Sequence, residues 1–155
     1  MNYEIIFSRS SQQFRVIFCV AVLLLLYDIS FSQVGCAGKI GALPSIVFKS
    51  KSIKLLPDAE AILESVASTL KNNPGCKTVV SGYCSSSKNE QQRSWDLVNN
   101  VIKHLVEKQG ISADRLIFSY GNDGDCNLVD MRVAAEGEEG PSTVPPPHPA
   151  LRNRG

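Results

Sequence analysis

The chain has 155 residues, which suggests one domain with extensions. Its 16 basic and 15 acidic residues leave a formal net charge of +1, and that balance gives no reason to propose nucleic acid or an anionic membrane as a partner. A composition 43% hydrophobic and 7% aromatic supports an ordinary core but is poor in the anchors of a large interface.

The N-terminus reads as a targeting segment. Arg9 and Arg15 precede an apolar run over residues 16–27. That run is shorter than the roughly 20 residues a membrane span needs. It fits the hydrophobic region of a signal peptide over residues 1–32, with Ser30 and Ser32 as the small residues before cleavage ahead of Gln33. The alternative is an uncleaved N-terminal anchor, and either one implies export. Removal of residues 1–32 takes two basic and two acidic residues, so 14 and 13 remain and the net charge is unchanged.

Cys19 leaves with the signal, and Cys36, Cys76, Cys84 and Cys126 remain. An even number in an oxidising compartment points to disulfides, with three connectivities open. No C-x-x-C pair suggests a redox site. Cys84 and Cys126 both follow predicted strands, so their pairing is the first expectation, and Cys36 to Cys76, tying down the N-terminal arm, is the second. Cys36 also has a lipid-anchor reading, because Gly35 before it suits a lipoprotein signal; Gln33 stands where Leu is usual.

Residues 33–44 are small and Gly-containing and read as a flexible arm. Residues 45–48 form a first strand, which ends in a polar run where Lys49, Lys51 and Lys54 read as a solvated edge. Pro57 opens a helix, since a first turn has no use for the missing N–H. Asp58 and Glu60 complement its dipole. Ala59, Ile62, Leu63, Val66, Ala67 and Leu70 recur every three or four residues and give it one apolar face. Residues 72–75, Asn-Asn-Pro-Gly, stop it. Residues 77–84 are a second strand. A Ser-rich turn follows, and Ser87 and Glu90 form a capping box for a second helix. Trp95, Val98, Val101, Ile102 and Leu105 are its apolar stripe, and Gly110 ends it. Residues 115–121 are a third strand, and residues 129–134 a short fourth. From Glu136 the chain turns polar and Pro-rich, and residues 136–155 are expected to be disordered or extended. The order strand, helix, strand, helix, strand, with a closing strand, predicts a two-layer α/β sandwich over residues 45–135 with parallel neighbours joined by helices.

The strand–turn–helix passage is where a ligand is expected, because the first backbone N–H groups of a helix are free to meet an anion. Ser85, Ser86 and Ser87 lack a Gly-x-Ser-x-Gly elbow, and His104 lies well along the helix, so capping is the better reading than nucleophilic chemistry. His148 falls in the tail. Cys76, Cys84, Cys126 and His104 lack the close ligand pairs of a zinc site. Residues 122–125, Asn-Asp-Gly-Asp, lack the further ligands of a calcium loop and read as a polar turn. No metal, no cofactor and no catalytic residue is expected.

Three stretches carry a resemblance over residues 46–121. They are Ile46-Val47-Phe48 with Leu56, then residues 79–83, Val-Val-Ser-Gly-Tyr, and then residues 110–116, Gly-Ile-Ser-Ala-Asp-Arg-Leu. In order and spacing they resemble the C-terminal, peptidoglycan-associating domain of outer-membrane protein A, a family shared with peptidoglycan-associated lipoprotein and motor stator proteins. The resemblance implies a β-α-β-α-β(-β) sandwich of the cell envelope, periplasmic or outer-membrane associated. It also implies a site in which a strand-end Asp and a helix Arg clamp diaminopimelate of the peptidoglycan stem peptide. Arg suits this because it binds carboxylate bidentately. The family's Asp falls at Ser85 and its Arg at Leu97, so both charges are gone. Taking about 100° per residue, Leu97 lies roughly 110° from the centre of the apolar stripe and is expected at its flank, partly buried against a loop or lining an apolar pocket. The connection after Gly121 is also shorter than the family's. Tyr83, Ser85, Ser86 and Leu97 are therefore the candidate ligand positions of a non-enzymatic binding module. The alternative is a structural or protein-interaction domain with an envelope protein as partner.

Overall fold

A computed structural model describes residues 35–84, 87–121 and 124–146. The signal segment, Ser85, Ser86, Asn122, Asp123, His148 and the end of the tail lie outside the described residues. The chain forms α1 (Cys36–Ile40), β1 (Ile46–Val47), α2 (Pro57–Lys71), β2 (Thr78–Tyr83) and α3 (Lys88–Lys103). A single π-helical turn, His104–Lys108, extends α3, and a 3₁₀ turn, Ala113–Arg115, leads into β3 (Leu116–Gly121) and then β4 (Leu128–Val133). Core elements and both disulfides lie within residues 35–146.

The four strands make one mixed sheet in the order β1-β4-β2-β3. β2 and β3 are parallel, with Thr78 opposite Leu116 and Tyr83 opposite Gly121, as the helical crossover requires. The expectation of parallel neighbours fails at β1. β4 inserts between β1 and β2, antiparallel to both, with Val129 opposite Gly82 on one side and Ile46 on the other. β1 has only two residues and few ladder bonds to offer, so the three six-residue strands pair among themselves and β1 is left at the edge.

Strand alternation puts Ile46, Val80, Phe118, Val129 and Met131 on the face covered by the helices. α2 adds Leu63, Val66, Ala67 and Leu70; α3 and its extension add Leu97, Val98, Val101, Ile102 and Leu105. Each fully buried Val, Leu or Ile contributes about 1.5–3 kcal/mol relative to exposure. Gly82 sets the approach of α3: a Cβ there would lie 2.7 Å from Ser94 Oγ and 2.8 Å from Val98 Cγ2. The π turn, with Gln109 N–H donating to His104 O at 3.1 Å, keeps Leu105 in the core before Gly110 ends the helix at φ +69°.

Two segments are more ordered than the sequence suggests. The arm is not flexible throughout: Cys36 is bonded to Cys76, α1 follows, and Ile40 and Leu43 pack on the core. These two apolar contacts, one at the last residue of the helix and one just beyond it, together with the covalent tether outweigh the small residues around them. The tail is not free over residues 136–146. Arg132 holds Glu138 with two hydrogen bonds of 2.8 and 2.6 Å, and Ala135 N–H donates to the same carboxylate at 2.8 Å. Phe118 N–H, on the outer edge of β3, donates to Pro141 O at 2.7 Å, Gly140 lies against Ile117, and Val144 reaches the core cluster. Prolines cannot extend the ladder, so this strap covers the edge strand without offering a new edge.

The hydrogen bonds from Arg132 and then from the Ala135 amide lower the Glu138 carboxyl from 4.5 to about 2. A folded-state value below the unfolded one means that the stabilisation is complete above the ordinary value and is lost as pH falls through about 2. A carbon-detected NMR titration is expected to place the Glu138 midpoint near 2 in the natural chain and close to the ordinary value in Arg132→Ala. Equal midpoints in the two proteins would show that the Arg132 contact does not persist in solution.

Candidate functional site

Three parts of the chain meet at one end of the sheet: residues 48–56 after β1, Cys84 at the end of β2 with Ser87 at the start of α3, and residues 124–127 leading into β4. Cys84, at the end of β2, is bonded to Cys126. It stands at φ +116°, a region that side chains other than glycine rarely adopt. The other disulfide joins Cys36 to Cys76 at the opposite end, so of the three connectivities the chain has this one. A sulfur in a disulfide has no valence left for a thioether. The lipid anchor considered for Cys36, and with it that route to a membrane, is therefore corrected.

α3 starts where the capping box places it. Ser87 Oγ accepts from Glu90 N–H at 3.2 Å, and Ser87 Oγ lies 3.3 Å from Glu90 Oε2. The first intrahelical bond runs from Gln91 N–H to Ser87 O at 2.8 Å, so the amides of Lys88 and Asn89 precede the ladder and point out of the helix start.

Tyr83 is half-buried. A Cβ at Gly121 would fall 2.7 Å from its Cδ1, and one at Gly124 2.5 Å from its Cγ, so bare backbone on two sides holds the ring. Burial, and then the hydrogen bond to Asp130, push its hydroxyl above the usual value. Asp130 also accepts from Ser45 Oγ. The Tyr83 hydroxyl is thus turned along the outer face of the sheet and bound within the fold.

Leu97 is not at a flank. It is 0% exposed and belongs to the main core cluster. The stripe read from the sequence includes Trp95, which packs at the edge of the core with its ring edge-on to Phe118 and Tyr120 at 6.1 and 5.8 Å. The true centre of the buried face is near Ser94, which is fully buried against Gly82. Replacing Trp95 by the buried Ser94 and Leu97 moves the centre of the stripe by roughly 35°, at about 100° per residue. Leu97 has no exposed surface, and Ser94 Oγ is buried without a hydrogen-bond partner, a cost accepted for the close approach of helix and strand.

The arginine at this end is Arg93, one turn before Leu97. Its Nη1 donates to Cys126 O at 3.0 Å; its Nη2 reaches Lys49 O, Ser52 O and Asn127 Oδ1 at 3.2, 3.0 and 2.9 Å. The loops after β1 and before β4 are thereby tied directly, and the end of β2 at Cys84 through the disulfide. Arg115 does the same at the opposite end, donating to Leu70 O, Asn73 O and Cys76 O at 2.7–2.9 Å through Nη2. The sequence reading missed both. Their signal was position: a cation on the edge of an apolar helix face, and one just ahead of a strand. Among the described residues, no group of three or more His, Cys, Asp or Glu gathers that could hold a metal.

A family model, the OmpA family, matches residues 47–137. Among solved structures, the C-terminal domain of Helicobacter pylori MotB is similar at 17% identity and a TM-score of 0.50, covering 61% of this chain and 86% of that one. The peptidoglycan-associated lipoprotein of Burkholderia pseudomallei is similar at 14% identity and a TM-score of 0.51, covering 65% and 98%. No curated protein sequence matches.

Leu97→Ala is expected to destabilise the domain by about 2–5 kcal/mol in urea unfolding. Leu97→Arg is expected to prevent folding, because it buries a charge with no partner. A Leu97→Arg protein as stable as the natural one would place residue 97 at the surface and restore the flank assignment.

Proposed function

Because the chain belongs to the OmpA family, a family of binding modules rather than enzymes, we propose that it is an exported module of the cell envelope that associates with peptidoglycan without a charged clamp. Export is supported by the apolar run at residues 16–27 behind Arg9 and Arg15, and by two disulfides joining all four remaining cysteines. The observation that carries the binding reading is the start of α3. The Lys88 and Asn89 amides, at the positive end of the helix dipole, stand beside the disulfide-held end of β2 and suit a stem-peptide carboxylate. Leu97 is in the core and Arg93 is engaged by backbone carbonyls, so no paired charge assists. Losing one partner of a buried charge pair typically costs about 2–5 kcal/mol, so contact is weak.

A second reading is favoured by the same two residues. A site whose cation has become part of the scaffold suits a protein-interaction domain that keeps the fold alone.

The test is sedimentation of the purified mature chain, residues 33–155, with intact peptidoglycan sacculi, beside sacculi whose carboxyl groups are amidated. Weak co-sedimentation that disappears on amidation, and is reduced by Ser86→Asp, is the expected result. A chain that stays in the supernatant with both preparations would replace this reading with the protein-interaction one.

A further inference from the structure

We propose that the turn after β1 is a docking surface for an anionic lipid bilayer. The two exposed large hydrophobic side chains among the described residues, Val47 at 64% and Ile53 at 45%, flank this one turn. Between and beside them stand Lys49, Lys51 and Lys54, all exposed. No acidic residue occurs from Phe48 to Pro57. Among the described residues the ion pairs are Lys77 with Glu139 and Arg132 with Glu138, and none of the three lysines takes part in one.

The turn is rigid. Ser52 N–H donates to Lys49 O at 3.0 Å, Lys51 takes φ +62°, and Lys54 N–H donates to Ser52 Oγ at 3.1 Å. From the body of the domain, Arg93 holds the carbonyls of Lys49 and Ser52, and Asn100 Nδ2 donates to Ile53 O at 2.7 Å. The backbone polar groups face inward onto α3 while the side chains of Val47, Lys49, Lys51, Ile53 and Lys54 face water. Such pre-organisation removes the ordering cost of docking.

The mixture identifies the partner. A hydrated polyanion would use the lysines and leave Val47 and Ile53 wet. A bilayer uses both: lysines sit among anionic headgroups while apolar side chains enter the boundary with the acyl chains. The net charge of +1 concealed this, since three unpaired positive charges within six residues are offset by acids elsewhere on the chain. The proposal does not depend on contact with peptidoglycan.

The core and both disulfides lie within residues 35–146, so residues 34–155 serve for the test and leave out the apolar N-terminal run. Co-sedimentation is measured with vesicles of phosphatidylcholine, alone or mixed with phosphatidylglycerol. Binding is expected to the mixed vesicles only. Lys49→Gln/Lys51→Gln/Lys54→Gln is expected to weaken it about a hundredfold, from ~1 kcal/mol per lysine at an anionic surface. Val47→Ser/Ile53→Ser is expected to weaken it about tenfold. Lys71→Gln/Lys103→Gln/Lys108→Gln, which removes the same charge from exposed positions elsewhere, is expected to bind as the natural protein does. These positions are exposed, so melting temperatures are expected to stay together. No binding to mixed vesicles would overturn the proposal, as would an equal loss in the control variant. A Val47→Ser/Ile53→Ser protein that binds as well as the natural one would also overturn it, and would assign the lysines to a hydrated polyanion or an acidic protein segment.

Discussion

Each end of the sheet is closed by the same combination, an arginine whose guanidinium donates to the carbonyl of a disulfide cysteine. Arg93 meets Cys126 O, and Cys126 is bonded to Cys84; Arg115 meets Cys76 O, and Cys76 is bonded to Cys36. The two disulfides join residues 42 and 40 apart, and removing one from a small secreted domain typically costs about 2–5 kcal/mol. A charged donor to a carbonyl adds about 1.5–3 kcal/mol for each well-formed bond. The arginines then do what a disulfide alone does not. They gather neighbouring turns: residues 49–52 and 126–127 at one end, and the C-terminus of α2 at the other.

This arrangement decides what the domain can offer a ligand. A guanidinium that holds four acceptors of its own fold is not a free clamp for a carboxylate, and the neighbouring helix position, Leu97, is in the core. The family's fold is retained while its charged chemistry is absent from the positions that the resemblance assigns. What remains accessible at this end are helix-start amides following the disulfide-held end of β2 and the lysine-bearing turn whose carbonyls Arg93 holds. Both surfaces depend on the same anchor.

The amino-acid sequence made the local elements legible wherever one physical signal dominated. Pro57 with Asp58 and Glu60 opens α2, and Ser87 with Glu90 caps α3, because end effects depend on a few adjacent residues. The fourth strand was visible from Val129 and Met131. Its insertion between β1 and β2 was not, since pairing order depends on the relative lengths of strands far apart in the chain. Leu97 was misplaced because Trp95, which packs only at the edge of the core, drew the stripe to one side, while Ser94, buried against a glycine, looks polar in one dimension and is a packing contact in three. The strap over β3 was hidden by its prolines, which signal the absence of regular structure and say nothing about a carbonyl that can accept Phe118 N–H. Arg93 could not be read from its own neighbourhood at all, because its acceptors lie 33 to 44 residues away.

Amide hydrogen exchange on Arg93→Lys tests the central claim most directly. Lysine keeps the charge but not the planar fork that spans several acceptors. If Arg93 is the common anchor, exchange rises together at the Ser52 amide and at the Phe48 and Leu128 amides, which donate to Asn127 O and Asp125 O of the 125–127 turn, while Val80 and Phe118 in the sheet stay protected. Unchanged exchange at both turns, or a rise confined to one of them, would contradict the account and leave the Cys84–Cys126 bond as the device that organises this end of the sheet.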